Sequence, residues 1–170
     1  MPYSKFRFAN KSVIQDIDYM ETVIRTTVNN YVYTFPSNSV NDDFYYRVGT
    51  SGAFTRHQGL GLTINIPTAG DNIIQYYVNS VGFMNRFSFI GGVITDREKL
   101  ISFKSIANVP SEYSISNFRT CSNLEVVDLS EITNLGTSSI RRFLQGSSSL
   151  NSLILSSSLD VSSINNFDQW

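Results

Sequence analysis

Apolar residues recur along this chain in two rhythms, and the change between them falls near Gly92. Before it the stretches are short and alternating. Tyr31-Val32-Tyr33-Thr34-Phe35 alternates towards Pro36, which ends it. Phe44 to Val48, Ile73 to Val78 and Arg86 to Ile90 read as strands. So does Leu60-Gly61-Leu62-Thr63-Ile64-Asn65-Ile66, with Leu60, Leu62, Ile64 and Ile66 on one face. Thr50-Ser51-Gly52-Ala53 and Pro67-Thr68-Ala69-Gly70 punctuate these runs as turns. Val13-Ile14-x-x-Ile17-x-x-Met20-x-x-x-Ile24 carries a helical rhythm. One amphipathic helix is therefore expected there, against the many β-branched residues of the same stretch. Residues 1–92 should form a β-rich module, either a sandwich or a sheet with one helix.

Beyond Gly92 the pattern repeats itself. Ser114-Ile115-x-x-Phe118 returns as Ser139-Ile140-x-x-Phe143 and again as Ser163-Ile164-x-x-Phe167. A second column keeps step with it. Leu124-x-x-Val127-x-Leu129 and Leu150-x-x-Leu153-x-Leu155 follow Phe118 and Phe143, and Leu100-Ile101-Ser102-Phe103 holds the same place one step earlier, with Ser105 instead of the last Leu. A period between about 20 and 50 residues points to stacked repeats. Each repeat would add a parallel strand about 4.8 Å from the last and could bury its apolar residues only between neighbours. Leucines and Val127 would enter the core from the strand, Ile and Phe from the opposite side. Serines around Gly146 and Ser156 suit tight corners closed by side-chain hydrogen bonds.

Composition narrows the function. The formal net charge is -1 and no basic stripe is visible, so nucleic acid is not an expected partner. Cys121 is the single cysteine, which excludes a disulfide framework or a cysteine metal site within one chain. Met1-Pro2-Tyr3-Ser4-Lys5-Phe6-Arg7-Phe8 lacks the apolar core of a secretory signal. No apolar run is long enough to cross a bilayer, so membrane insertion is not expected.

Leu-x-x-Leu-x-Leu at this period resembles a leucine-rich repeat. Phe118-Arg119-Thr120-Cys121-Ser122-Asn123-Leu124 is similar to the Phe-x-x-Cys-x-x-Leu step of BspA-like repeats, with Gly146 in place of the Cys in the next copy and an extra Ser lengthening that corner. The resemblance covers roughly Glu98 to Trp170. It implies a recognition scaffold of a kind found in bacterial surface adhesins and in structural proteins of phages of gut bacteria. Without an export signal, a virion component such as a fibre, decoration or baseplate protein is the closer match.

Candidate chemistry is sparse. His57, the single histidine, has no titratable partner in view and reads as a loop residue rather than a general base. Cys121 reads as a buried filler of a corner rather than a nucleophile. Asp16-x-Asp18 lacks the Gly and distal Glu of a calcium loop, and Asn41-Asp42-Asp43 reads as a solvated turn. Gly59-Leu60-Gly61 is too short to cradle a phosphate. Tyr45, Tyr46, Tyr76 and Tyr77 could stack on a glycan, or simply alternate between core and surface.

The repeat strands offer more. Ser102, Val126 and Ser152 should form one outward column, and Lys104, Asp128 and Ile154 another, with Lys104 and Asp128 as a cross-strand ion pair. Val126 and Ile154 are apolar for a wet face, which fits either ordinary scattered surface apolarity or contact with another chain. At the carboxyl end Leu159, Val161, Ile164, Phe167 and Trp170 should either cap the last strand or form an interface.

The expectation is a mainly β protein: an anchoring module over residues 1–92, then BspA-like leucine-rich repeats over 93–170. It has no catalytic constellation, metal or cofactor, and it works in a virion as a homo-oligomer or beside other virion proteins, with a host-surface receptor as a further partner. A bacterial surface adhesin lacking its export signal is the first alternative, and a glycan-binding module the second.

Overall fold

A computed structural model describes residues 19–34, 43–58, 62–78, 94–105, 118–131 and 143–160. The protein is mainly β. Seven strands form one mixed sheet: β1 (Met20–Thr26), β3 (Asp43–Val48), β4 (Thr55–Gln58), β6 (Gly70–Val78), β7 (Leu100–Ser105), β8 (Val126–Leu129) and β9 (Ser152–Leu155). Their order across the sheet is β4-β3-β6-β1-β7-β8-β9. Two further strands, β2 (Tyr31–Thr34) and β5 (Thr63–Ile66), pair antiparallel as a small second sheet. One helical turn, α1 (Ile94–Arg97), precedes β7.

The first half of the sheet is antiparallel and the second parallel. Strand β1 stands at the change, antiparallel to β6 on one side and to β7 on the other. Strands β7, β8 and β9 then run parallel, with Ser102 beside Val126 beside Ser152 and Lys104 beside Asp128 beside Ile154. The two textures of the sequence thus share one sheet across Gly92.

Met20 to Ile24 is strand, not helix. Apolar residues four apart fit either form, because four positions make about one helical turn and also two strand repeats. The missing clue is Thr22, which lies on the inner face with Met20, Ile24 and Thr26, while Glu21, Val23 and Arg25 point the other way. A polar residue on the apolar face hid the alternation. Val13 to Ile17 lies outside the described residues.

The remaining strands of the amino-terminal half follow their alternation. Leu62, Ile64 and Ile66 are buried on one side of β5, as expected. Strand β4 went unread because Thr55-Arg56-His57-Gln58 has no apolar alternation, which suits a polar edge strand. His57 therefore belongs to a strand and not to a loop. The expected strand at 86–90 lies outside the described residues.

One apolar cluster joins both sheets. Tyr33, Leu62, Ile64 and Ile66 from β5 and its surroundings pack with Ile24, Ile74 and Tyr76 and with Leu100, Phe103, Leu124, Val127 and Leu129. The buried carboxylate of Asp96, in α1, ties the small sheet to this body. It accepts hydrogen bonds from the Tyr31 hydroxyl at 2.5 Å and the Thr34 N–H at 3.1 Å.

Successive parallel segments are bonded at their corners as well as along their strands. Phe118 N–H donates to the Phe143 carbonyl at 2.8 Å, and Thr120 N–H to the Gln145 carbonyl at 2.7 Å. Ser147 Oγ donates to the Phe118 carbonyl at 2.8 Å, and Asn123 Nδ2 to the Glu98 carbonyl at 2.7 Å. Rings follow the same line: the Phe103 and Phe118 centroids lie 5.0 Å apart, and those of Phe118 and Phe143 lie 5.3 Å apart, edge to face.

These corner bonds revise the alignment of the two copies. Cys121 and Ser147 each donate their N–H to the carbonyl three residues back, and each accepts from the residue three ahead, Leu124 or Leu150. Thr120 and Gly146, one residue earlier, both take left-handed backbone, with φ of 63° and 80°. Ser147, not Gly146, therefore stands in the place of Cys121. The extra residue enters between Phe143 and Gly146, before the serines rather than among them. Gly146 has its own reason in its φ of 80°, which side chains rarely adopt; a Cβ there would reach contact distance of Thr120 Cα, at 3.4 Å.

Phe118 is fully buried between two other rings, so Phe118→Ala should cost about 3–5 kcal/mol. Gly146→Ala, at a left-handed φ, should cost about 1–2 kcal/mol. Urea denaturation checks both.

Candidate functional site

The sheet face turned away from the core carries the candidate residues, arranged in rows across the strands. Residues of β1, β3, β6, β7 and β8 that alternate with the core positions meet there side by side. One row is polar: Arg47, Gln75, Glu21, Lys104 and Asp128 stand in register on five adjacent strands. Arg47 Nε donates to Gln75 Oε1 at 2.7 Å, and Gln75 Nε2 donates to Glu21 Oε2 at 2.7 Å. Lys104 Nζ lies 3.5 Å from Asp128 Oδ2, so the expected cross-strand pair is formed.

The neighbouring row is mostly apolar. Ile73, Val23, Ser102, Val126 and Ser152 align in it, and all five are half-buried. Ile154, at the end of the polar row, is 43 % exposed. A third group is ionic: Arg25 donates from Nε and Nη2 to the two Asp71 oxygens, at 2.6 and 2.9 Å, and from Nη1 to Glu125 Oε1 at 3.5 Å. The Arg25 guanidinium hydrogen-bonded to Asp71 holds that carboxyl below the usual carboxylate range.

Tyr45 and Tyr77 stack on each other across β3 and β6, with centroids 4.8 Å apart and planes within 3°. Phe54 meets Tyr77 edge to face, and the Arg47 guanidinium sits 4.4 Å over the Phe54 ring. Tyr76, in contrast, is fully buried, and Tyr46 packs against the core. The four tyrosines thus alternate between the two faces, and the outward pair spends ring surface on itself.

Among the six repeat-face residues, Ser102, Lys104, Val126 and Asp128 sit in the interior of the sheet, whereas Ser152 and Ile154 lie on β9. That strand is last in the sheet order among the described residues, and both Ile154 and Leu155 are exposed. Leu155 was assigned inward by its pattern, and at 44 % exposure it departs from its counterpart Leu129, which is fully buried. The reason is positional: among the described residues β8 lies between β7 and β9, whereas β9 has a parallel neighbour on one side. Leu159 is half-buried and packs on the core cluster. Val161, Ile164, Phe167 and Trp170 lie outside the described residues.

Residues that sequence reasoning missed on this face are Arg25, Asp71 and Glu125, and the chain Arg47–Gln75–Glu21. Their partners are far apart in sequence, and no local spacing announces them. Among the described residues no cluster of three His, Cys, Asp or Glu side chains is placed to hold a metal. No helix among them is long and apolar enough to cross a membrane.

Two titrating groups report on this part of the fold. Burial pulls the Asp128 carboxyl up, but the hydroxyl and N–H of Ser130 together with Lys104 outweigh it and leave the group below its ordinary value. Burial pushes the Cys121 thiol up to about 12, against a smaller pull from Arg97. No protein-family model, no curated protein and no solved structure matches this chain.

Because the folded carboxyl of Asp128 is more acidic than the unfolded one, its contribution is present above the ordinary carboxylate range and fades as pH falls through the folded value. Urea midpoints measured against pH should therefore drop on acidification less steeply in Asp128→Asn than in the parent chain. The Cys121 thiol, buried and protonated at neutral pH, should react with an aromatic disulfide reagent only on unfolding. Thiol titration in buffer and in denaturant reads this directly.

Proposed function

We propose that this chain is a non-catalytic structural or attachment protein of a virus particle, with the parallel strands β7–β9 belonging to a short BspA-like leucine-rich-repeat stack. Residues 1–92 anchor it, and the outer face from Ser102 to Ile154 together with the β9 edge meets another subunit or another virion protein. The observation that carries this reading is the β9 strand, which presents Ile154 and Leu155 at 43 % and 44 % exposure beside a ladder of parallel strands in register. A strand edge with apolar side chains is a template for pairing with a further strand or chain. The repeated Leu and Phe columns, and their resemblance to repeats found in phage structural proteins, supply the kind of assembly.

Contact through this edge is strand-to-strand: backbone bonds give the affinity and Ile154 and Leu155 give the apolar contact. Polar neighbours such as Lys104 and Asp128 fix register more than they add energy, because a partly exposed ion pair contributes under about 1 kcal/mol.

Mass spectrometry of purified particles from the source culture should recover this chain in a fixed ratio to other virion proteins. Its recovery in cell-envelope fractions, and never in particles, would turn the reading to a surface adhesin. Sedimentation of the purified chain should show an oligomer at micromolar concentration that Ile154→Lys with Leu155→Lys dissociates. A parent chain that stays monomeric there would count against the edge as a contact.

A further inference from the structure

Strand β9 runs through the longest uncharged stretch of the chain, residues 143–159, and it holds neither a proline nor a register shift. Charge, proline and bulges are the ordinary devices that keep strand edges from pairing, and β9 has none of them. Its backbone direction is set at its start, where Ser152 N–H donates to the Glu125 carbonyl at 3.1 Å, towards β8. Successive residues of a strand turn their N–H and C=O groups to alternate sides. Those of Ile154 therefore follow Ser152 towards β8, and those of Leu153 and Leu155 point away from it. Ile154 and Leu155, on opposite faces, are 43 % and 44 % exposed.

We propose that a second copy of this chain pairs its own β9 with this one, antiparallel about a two-fold axis, with Ile154 opposite the partner's Ile154. The proposal rests on the reading of β9 as a contact edge, and it names the occupant and the register. A two-fold contact sets a surface against itself, so a charge near its axis meets a like charge. A strand inside a run without charge meets that requirement, whereas a partner of opposite charge would find nothing there to pair with. Register follows from the backbone. With Ile154 on the axis, Leu153 and the partner's Leu155 stand opposite each other and exchange both their N–H···O bonds, as do Leu155 and the partner's Leu153. Apolar side chains then meet apolar ones on both faces. Moving the axis to Leu153 or Leu155 would instead set Ile154 against the partner's Ser152 or the partner's Ser156.

In that pairing the two Ile154 positions form a non-hydrogen-bonded site with Cα atoms about 4.5 Å apart, within the ~4.4–6.8 Å that a disulfide spans. Mild oxidation of Ile154→Cys should therefore give a dimer linked 154 to 154, and peptide mapping separates that link from any made by the buried Cys121. Ser152→Cys and Ser156→Cys, two positions to either side, should each link several-fold more slowly. Combined in one chain they should link 152 to 156 of the second copy as fast as Ile154→Cys links to itself. Equal rates for the three single variants overturn the proposal, because they signify collision without register. A slow Ile154→Cys in a chain that sediments as an oligomer also overturns it, and assigns the contact to another strand or face. A monomeric parent chain with no fast link removes both this pairing and the β9 edge as a contact. A fast 154–154 link in a chain absent from virus particles leaves the pairing standing and removes the virion assignment alone.

Discussion

A parallel strand added to a sheet edge satisfies the edge before it and creates a new one, and this constraint organises the molecule. Strand β8 cannot bury Val127 and Leu129 without β7 and β9 on either side, and β7 cannot stand without β1. On its other side β7 is covered by β1, hydrogen-bonded antiparallel along it and itself flanked by β6. The antiparallel half is thus more than an attachment: it closes the first edge of the parallel half. Arg25 N–H, bonded to the Lys99 carbonyl at 2.8 Å, continues that closure past a register shift between Val23 and Ile24.

The same constraint sets where surface chemistry is found. Closed rows in the interior of the sheet carry satisfied networks, as in Arg47–Gln75–Glu21 and Lys104–Asp128. Such pairs discriminate between registers, because a slip of one residue would put each charge on the core side. The far end differs. At β9, last in the sheet order among the described residues, Leu155 is 44 % exposed where its register partner Leu129 on β8 is fully buried.

Corners show how tightly two successive segments are matched. Thr120 and Gly146 share a left-handed conformation, and the gap between them admits no more than a Cβ at contact distance. Cys121 and Ser147 close equivalent turns with different chemistry. One is a buried thiol, and the other donates its hydroxyl to the Phe118 carbonyl. Identity at a repeat position is thus set by the hydrogen bond or space available there, while the backbone path stays constant.

Much of the carboxyl-terminal half was legible in the sequence. Leu124, Val127 and Leu129 are all fully buried, and the outward columns Ser102–Val126–Ser152 and Lys104–Asp128–Ile154 are the registers found. Two columns keeping one period fix a register because strand side chains repeat every two residues. The reading failed where local pattern is ambiguous: spacing of four at Met20 and Ile24 fits helix and strand alike, and β4 has no apolar signal. Position of the inserted residue beside Gly146 was also beyond it, since only hydrogen bonds between segments reveal which turn residues correspond. Tertiary structure alone decided that β1 lies between β6 and β7, which places Glu21 beside Gln75 on one side and Lys104 on the other. Sequence records which residues face inward; which distant edge each strand must cover is set by pairing that no local spacing encodes.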